Sequence, residues 1–196
     1  MSSKHFFLIA SMMMSVAISG GANAQTEDRK ESARIFVQQF YDWFGNIYHR
    51  ERHITAHFVV LKTKPEYIDK KLLDALIADD RASARHPREI IGLGFDPFAN
   101  SLDNRQGFQT GRVTQKGDRF FVNVHDIRGG QPASAVAKLV LTAEVANMNG
   151  RWVFMNFIYP KKAGKYTPGD GYLNDGETLL GALDSVRKDR VKSGRE

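Results

Sequence analysis

Apolar residues recur at helical spacing in the first part of this chain and at alternate positions in the second. From Thr26 to about Arg50, Ala33, Phe36, Val37, Phe40, Phe44, Ile47 and Tyr48 follow i, i+3, i+4, i+7 spacing. Glu31, Arg34, Gln38 and Asp42 fall elsewhere on the wheel, and no glycine interrupts the pattern before Gly45. The spacing predicts a long amphipathic helix, with Tyr41 and Trp43 at or beyond the margin of its stripe. A helix this aromatic needs a broad surface to cover it, and a curved sheet is the natural partner.

Phe58 to Leu61 read as one short helical or extended segment before Pro65. Asp69 is placed to cap a second helix that buries Leu72, Leu73, Leu76 and Ile77. Asp79-Asp80-Arg81 lie near its outer end, and Pro87 stops it. The period then changes. Phe108 to Val113 and Arg119 to Ile127 are extended runs joined by a turn containing Gly117. Ala135 to Val145 and Trp152 to Tyr159 form a second pair joined through Asn149-Gly150, a strong local hairpin signal. Alternation puts Phe120, Val122 and Val124 on one face and Phe121, Asn123 and His125 on the other. Residues 161–175 read as a surface loop. Asn174 and Glu177 approximate a capping box for a last helix carrying Leu179, Leu180, Leu183 and Val186, with fraying expected from Lys188. Helices, then an antiparallel meander of at least four strands, then a terminal helix make an α+β fold. A helix on the concave side of a bent sheet gives a cone with a cavity at its mouth.

The first 24 residues change the picture of where the chain works. Lys4, the apolar stretch Phe6 to Ile18 and the small residues ending in Ala22-Asn23-Ala24 have the three parts of a secretory signal peptide. Cleavage is expected before Gln25. The apolar run is shorter than the roughly 20 residues a membrane span needs. With no cysteine in the chain, neither a disulfide nor a lipid anchor can form on one. The expectation is a periplasmic protein that is not a lipoprotein, with one domain over residues 25–190 and a frayed tail over 191–196. The net charge of +6 comes from dispersed basic residues apart from Lys161-Lys162 and the tail Arg187-Lys188-Arg190-Lys192-Arg195. A nucleic-acid reader would gather them with exposed aromatics on one face, so nucleic acid is not an expected partner.

Four strings resemble a bacterial family of exported proteins and lipoproteins. They are FVQQFYDWF (36–44), EIIGLGFDPFANSLD (89–103), GDRFFVNVH (117–125) and GRWVFMNFIYP (150–160). The GLGFDPFANSLD stretch is the specific part. The resemblance implies the cystatin-like cone shared with nuclear transport factor 2, and no chemistry, because none is established for the family. Gly94 and Leu102 stand where that family often has an acidic residue and a glutamine.

Several side chains that could carry chemistry also suit structural roles. Asp96, Asn100, Asp103 and Asn104 cluster in one loop; their spacing is not that of an EF-hand, and Asp and Asn commonly cap turns. His125 and Asp126 are strand neighbours and point to opposite faces, so His125 would need Glu144 or Asn156 as partner to act as a general base. His49, His53 and His57 recur every four residues without a zinc signature and read as exposed or helix-end histidines. Trp43, Tyr41, Trp152, Phe154, Phe157 and Tyr159 are core or cavity wall. No phosphate loop, serine elbow or cysteine nucleophile is present, and no metal or cofactor is implied.

These residues point to a non-catalytic binding or interaction protein that uses the cone cavity or a sheet face. Asp96, Asn100, His125, Asn156 and Tyr159 are the ligand-binding candidates. The partner would be a small ligand or a periplasmic protein, and immunity against a delivered toxin is one concrete form. The alternatives are a lyase or isomerase with His125 as base, and an accessory subunit of an envelope complex. Cones of this kind often pair through their sheets, so a homodimer is also an expectation.

Overall fold

The computed structural model describes residues 20–50, 56–89, 91–101, 107–127, 138–161 and 177–195. Helix α1 spans Gly20–Arg50, α2 Ala56–Thr63 and α3 Lys70–Arg85. Strands β1 (Phe108–Lys116), β2 (Arg119–Asp126), β3 (Leu139–Met148) and β4 (Arg151–Ile158) follow, then α4 (Leu179–Lys192). The strands form one antiparallel sheet in the order β1-β2-β3-β4. The chain is therefore α+β, with helices before and after a four-stranded curved sheet. Among the described residues no helix is long and apolar enough to cross a membrane.

Turn chemistry closes both hairpins. At the β3–β4 turn Asn149 (φ 54°) and Gly150 (φ 83°) are both left-handed, as a two-residue type I′ turn requires. Met148 pairs with Arg151 across it, and Asn147 accepts from the Gly150 N–H at 2.9 Å. Register shifts between Thr110 and Val113, Val124 and His125, and Glu144 and Val145 interrupt the ladders. Such bulges bend a strand and increase its twist, which curves the sheet around α1.

Phe120, Val122 and Val124 face α1 and are fully buried. Phe40 meets Phe154 and Phe98 edge-on and stacks on Phe44. Gln38 ties the helix to the open side of β1. Its carboxamide accepts from the Thr110 N–H at 2.8 Å and donates to the Phe108 carbonyl at 3.2 Å. One side chain thus satisfies strand groups that a neighbouring strand would otherwise meet.

Two local expectations change. Tyr41, assigned to the margin of the stripe, is 1% exposed, because the 95–101 loop covers α1 on a second side. Helix α4 is capped by Thr178, whose hydroxyl accepts from the Gly181 N–H; Asn174 lies outside the described residues. Nor does α4 fray at Lys188. It runs to Lys192 and buries Arg190. Asp69 caps α3 as expected, accepting from the Lys71 N–H at 3.0 Å.

Candidate functional site

The segment 95–101, the core of the specific motif, is buried along its whole length. Asp96 shapes it. One carboxylate oxygen accepts from the Phe98 and Ala99 N–H groups at 2.9 and 3.2 Å, an Asx-type turn. The other accepts from the His57 N–H at 3.0 Å. Asn100 adopts φ 47°, tolerable for asparagine, and its amide donates to the Val140 carbonyl at 3.2 Å. Tyrosines from other elements bind the loop carbonyls: Tyr41 to Phe98 at 2.8 Å, Tyr159 to Pro97 at 2.9 Å and Tyr48 to Ser101 at 3.4 Å. A loop this buried is stable only if its backbone polar groups are met, and these side chains meet them.

His57 continues the network outward. Its Nδ1 lies 4.0 Å from the Asp96 carboxylate and its Nε2 lies 3.1 Å from Asp80 on α3. Burial raises the Asp96 carboxyl from 3.8 to about 7, against the lowering effects of His57 and the three N–H groups. Burial also raises the Tyr41 and Tyr159 hydroxyls, with the Asp96 charge adding to the effect in both. A proton can be held here near neutral pH. A substrate cannot reach Asp96, which is 0% exposed.

The candidate residues divide into three places. Asp96, Asn100 and Tyr159 come together at this loop. Asn156 sits on β4 beneath α4, where its side-chain oxygen accepts from the Phe157 and Leu180 N–H groups. His125 lies elsewhere. It shares the face of Phe121 and Asn123, away from α1, and its ring approaches β1 so closely that a Cβ on Gly111 would stand 2.8 Å from Nε2. Leu139 stands opposite it, while Glu144 pairs with Phe121 further along, so Glu144 is not its neighbour. The concave side expected to hold a cavity is occupied by Phe98, packed on Phe40, Phe44 and Phe157.

Of the remaining candidates, Asp103, Asn104 and His53 lie outside the described residues, as does the side chain of His49. His57 is buried rather than exposed, because α2 folds back against the loop and α3. Among the described residues, no group of three or more acidic or histidine side chains is placed to hold a metal ion.

A half-open groove of about 710 Å³ lies between α3 and α4. One of its lining residues, Arg190, is paired with the buried Asp79. Arg190 also donates to the Ile91 carbonyl at 3.2 Å, and Asp79 accepts from the Leu93 N–H at 2.9 Å. Gly92 permits this approach, since a Cβ there would collide with the Ser83 hydroxyl and lie 2.7 Å from the Asp79 carboxylate. Ala75, Ala78, Leu180 and Leu183 supply the apolar lining. Lys71, Asp74, Asp184 and Arg187 supply charge. Sequence reasoning passed over this groove. The small residues Ala75 and Ala78 were its only local signal, and Arg190 fell in a stretch expected to fray. No protein-family model, curated protein or solved structure matches the chain.

Proposed function

We propose that this chain is a non-catalytic binding protein of the cell envelope, exported by its N-terminal leader. It is built on a cystatin-like cone whose interior serves as core, and its recognition surface is the α3–α4 groove. The groove itself carries this reading. Its volume of about 710 Å³ falls within the roughly 300–1,000 Å³ of ligand sites, and it combines an apolar lining with a few polar groups. The side chains first assigned to a ligand support the reading from the other direction. Asp96, Asn100, Asn156 and Tyr159 direct their polar atoms to backbone groups of the protein. The placement of His125 on the outer face weighs against a general base acting inside the cone.

The test is capture from a periplasmic extract, comparing wild type with Ala78→Trp, which fills the groove from an exposed helical position. Bound proteins and small molecules are identified by mass spectrometry. A species held by wild type and by His125→Ala but lost with Ala78→Trp is expected. Retention unchanged by Ala78→Trp would move recognition to another surface.

A further inference from the structure

We infer that α2 is a pH-sensitive latch, docked over Asp96 while that carboxyl carries a proton and loosened once the proton leaves. The α3–α4 groove plays no part in it.

His57 pins the junction. Its backbone N–H donates to one Asp96 oxygen at 3.0 Å. Its ring lies between two acids, with Nε2 3.1 Å from Asp80 and Nδ1 4.0 Å from Asp96. Phe58 packs on the ring with centroids 4.1 Å apart. With α2 docked, Asp96 is closed off from water. One imidazole carries at most one positive charge, so it cannot neutralise two ionised carboxylates.

The other groups around Asp96 do not make up the difference. They are the Tyr41 hydroxyl from α1 and the Tyr159 hydroxyl beyond β4, with Glu177 acting on Tyr159. Neither a phenol nor a carboxyl becomes a cation. Ionising Asp96 therefore adds a buried negative charge without a counter-charge of its own, which is costly. Burial accordingly holds this carboxyl up at about 7, above its ordinary 3.8.

Hydration would relieve that charge, and α2 is the element able to admit water. The 95–101 loop is held by Tyr41, Tyr48 and Tyr159 at its carbonyls and by Asn100 at β3. Helix α2 has eight residues, of which Ala56, His57 and Val60 are buried. With so little apolar area behind it, undocking α2 costs less than opening the core. Asp96 hydrated in the undocked state returns toward 3.8. Undocking then releases one proton between pH 3.8 and about 7. Its equilibrium constant rises with pH across that window by up to about tenfold per unit. Below the window α2 is held most tightly, and above it the dependence ends.

Hydrogen exchange read by mass spectrometry tests this on the whole protein at pH values of about 5, 6, 7 and 8, corrected for intrinsic exchange. At every pH, residues 56–63 should be less protected than β2 and β3, because α2 opens without the sheet. Their protection should fall by up to about a hundredfold from pH 5 to 7 and then level off. Asp96→Asn should make α2 exchange independent of pH. Asp80→Asn should move the levelling-off point to lower pH, because the imidazole then has Asp96 alone to neutralise. Protection of α2 equal to that of the sheet, no change with pH, or the wild-type slope in Asp96→Asn would overturn the latch. An unmoved levelling-off point in Asp80→Asn would overturn it too, since His57 would then not be shared between the acids. Should Asp96→Asn not fold, the wild-type profile and Asp80→Asn, at a side chain 20% exposed, decide.

Discussion

The backbone N–H of His57 donates to the carboxylate of Asp96 at 3.0 Å, across 39 positions of sequence. This bond joins the start of α2 to the buried loop whose Phe98 packs on α1 and β4. It also makes Asp96 a buried acid held by three N–H donors and flanked by a histidine that reaches Asp80.

The first prediction concerns pH. Asp96 titrates at about 7 in the folded protein and at 3.8 when unperturbed, with burial as the main cause. Between those values the folded state keeps a proton that the unfolded chain has lost. The stabilisation is therefore complete below the lower value and disappears as pH rises through the upper one. Relative to Asp96→Asn, whose side chain stays neutral, the wild-type urea midpoint should fall as pH increases across this window. A wild-type minus variant difference that stayed flat would contradict the raised carboxyl.

Phe40 tests the contact between α1 and the sheet. Its ring is buried and meets Phe44, Phe98 and Phe154. Phe40→Ala should cost about 3–5 kcal/mol in chemical denaturation. Against a typical total of about 5–15 kcal/mol, that is a large share. A midpoint within error of wild type would mean that the helix is peripheral.

Tyr159 and His125 should behave differently. Tyr159→Phe leaves the buried Pro97 carbonyl without its donor, at a cost of about 1–3 kcal/mol. His125→Ala, on the half-exposed face, should shift the melting temperature less than Tyr159→Phe does. The reverse order would place the structural hub elsewhere.

The Asp79–Arg190 pair predicts non-additivity. Either Asp79→Asn or Arg190→Met leaves one buried partner uncompensated, at a cost of about 3–5 kcal/mol. The double variant removes both charges and should lose clearly less than the sum of the single losses. Simple additivity in a double-mutant cycle would show that the two side chains do not act as a pair.

The turn at Asn149-Gly150 offers a local check. Gly150 adopts φ 83°, so Gly150→Ala should cost about 1–2 kcal/mol through backbone strain alone. Asn149→Gly should be close to neutral. Equal effects of the two changes, by thermal denaturation, would argue against the type I′ geometry.

The sequence by itself determined the local structure. The 3.6-residue period of α1, the Asp69 cap, the Asn-Gly turn and the alternation of Phe120, Val122 and Val124 depend on residues close together in the chain. Each can be recognised from spacing and backbone preference alone. Alternation also separated His125 from Asp126, but it could not say which face would meet α1. That depends on strand register and on the bulges at Gly111-Arg112 and at the Val124–His125 step, which packing selects. The same limit applies to the candidate site. Tyr41 finds its acceptor 57 positions away, and Arg190 finds Asp79 111 positions away. Neither partner leaves a periodic trace near the residue that needs it. Only the tertiary structure could turn an expected cavity into packed core, a tail expected to fray into a buried ion pair, and two separate helices into a groove.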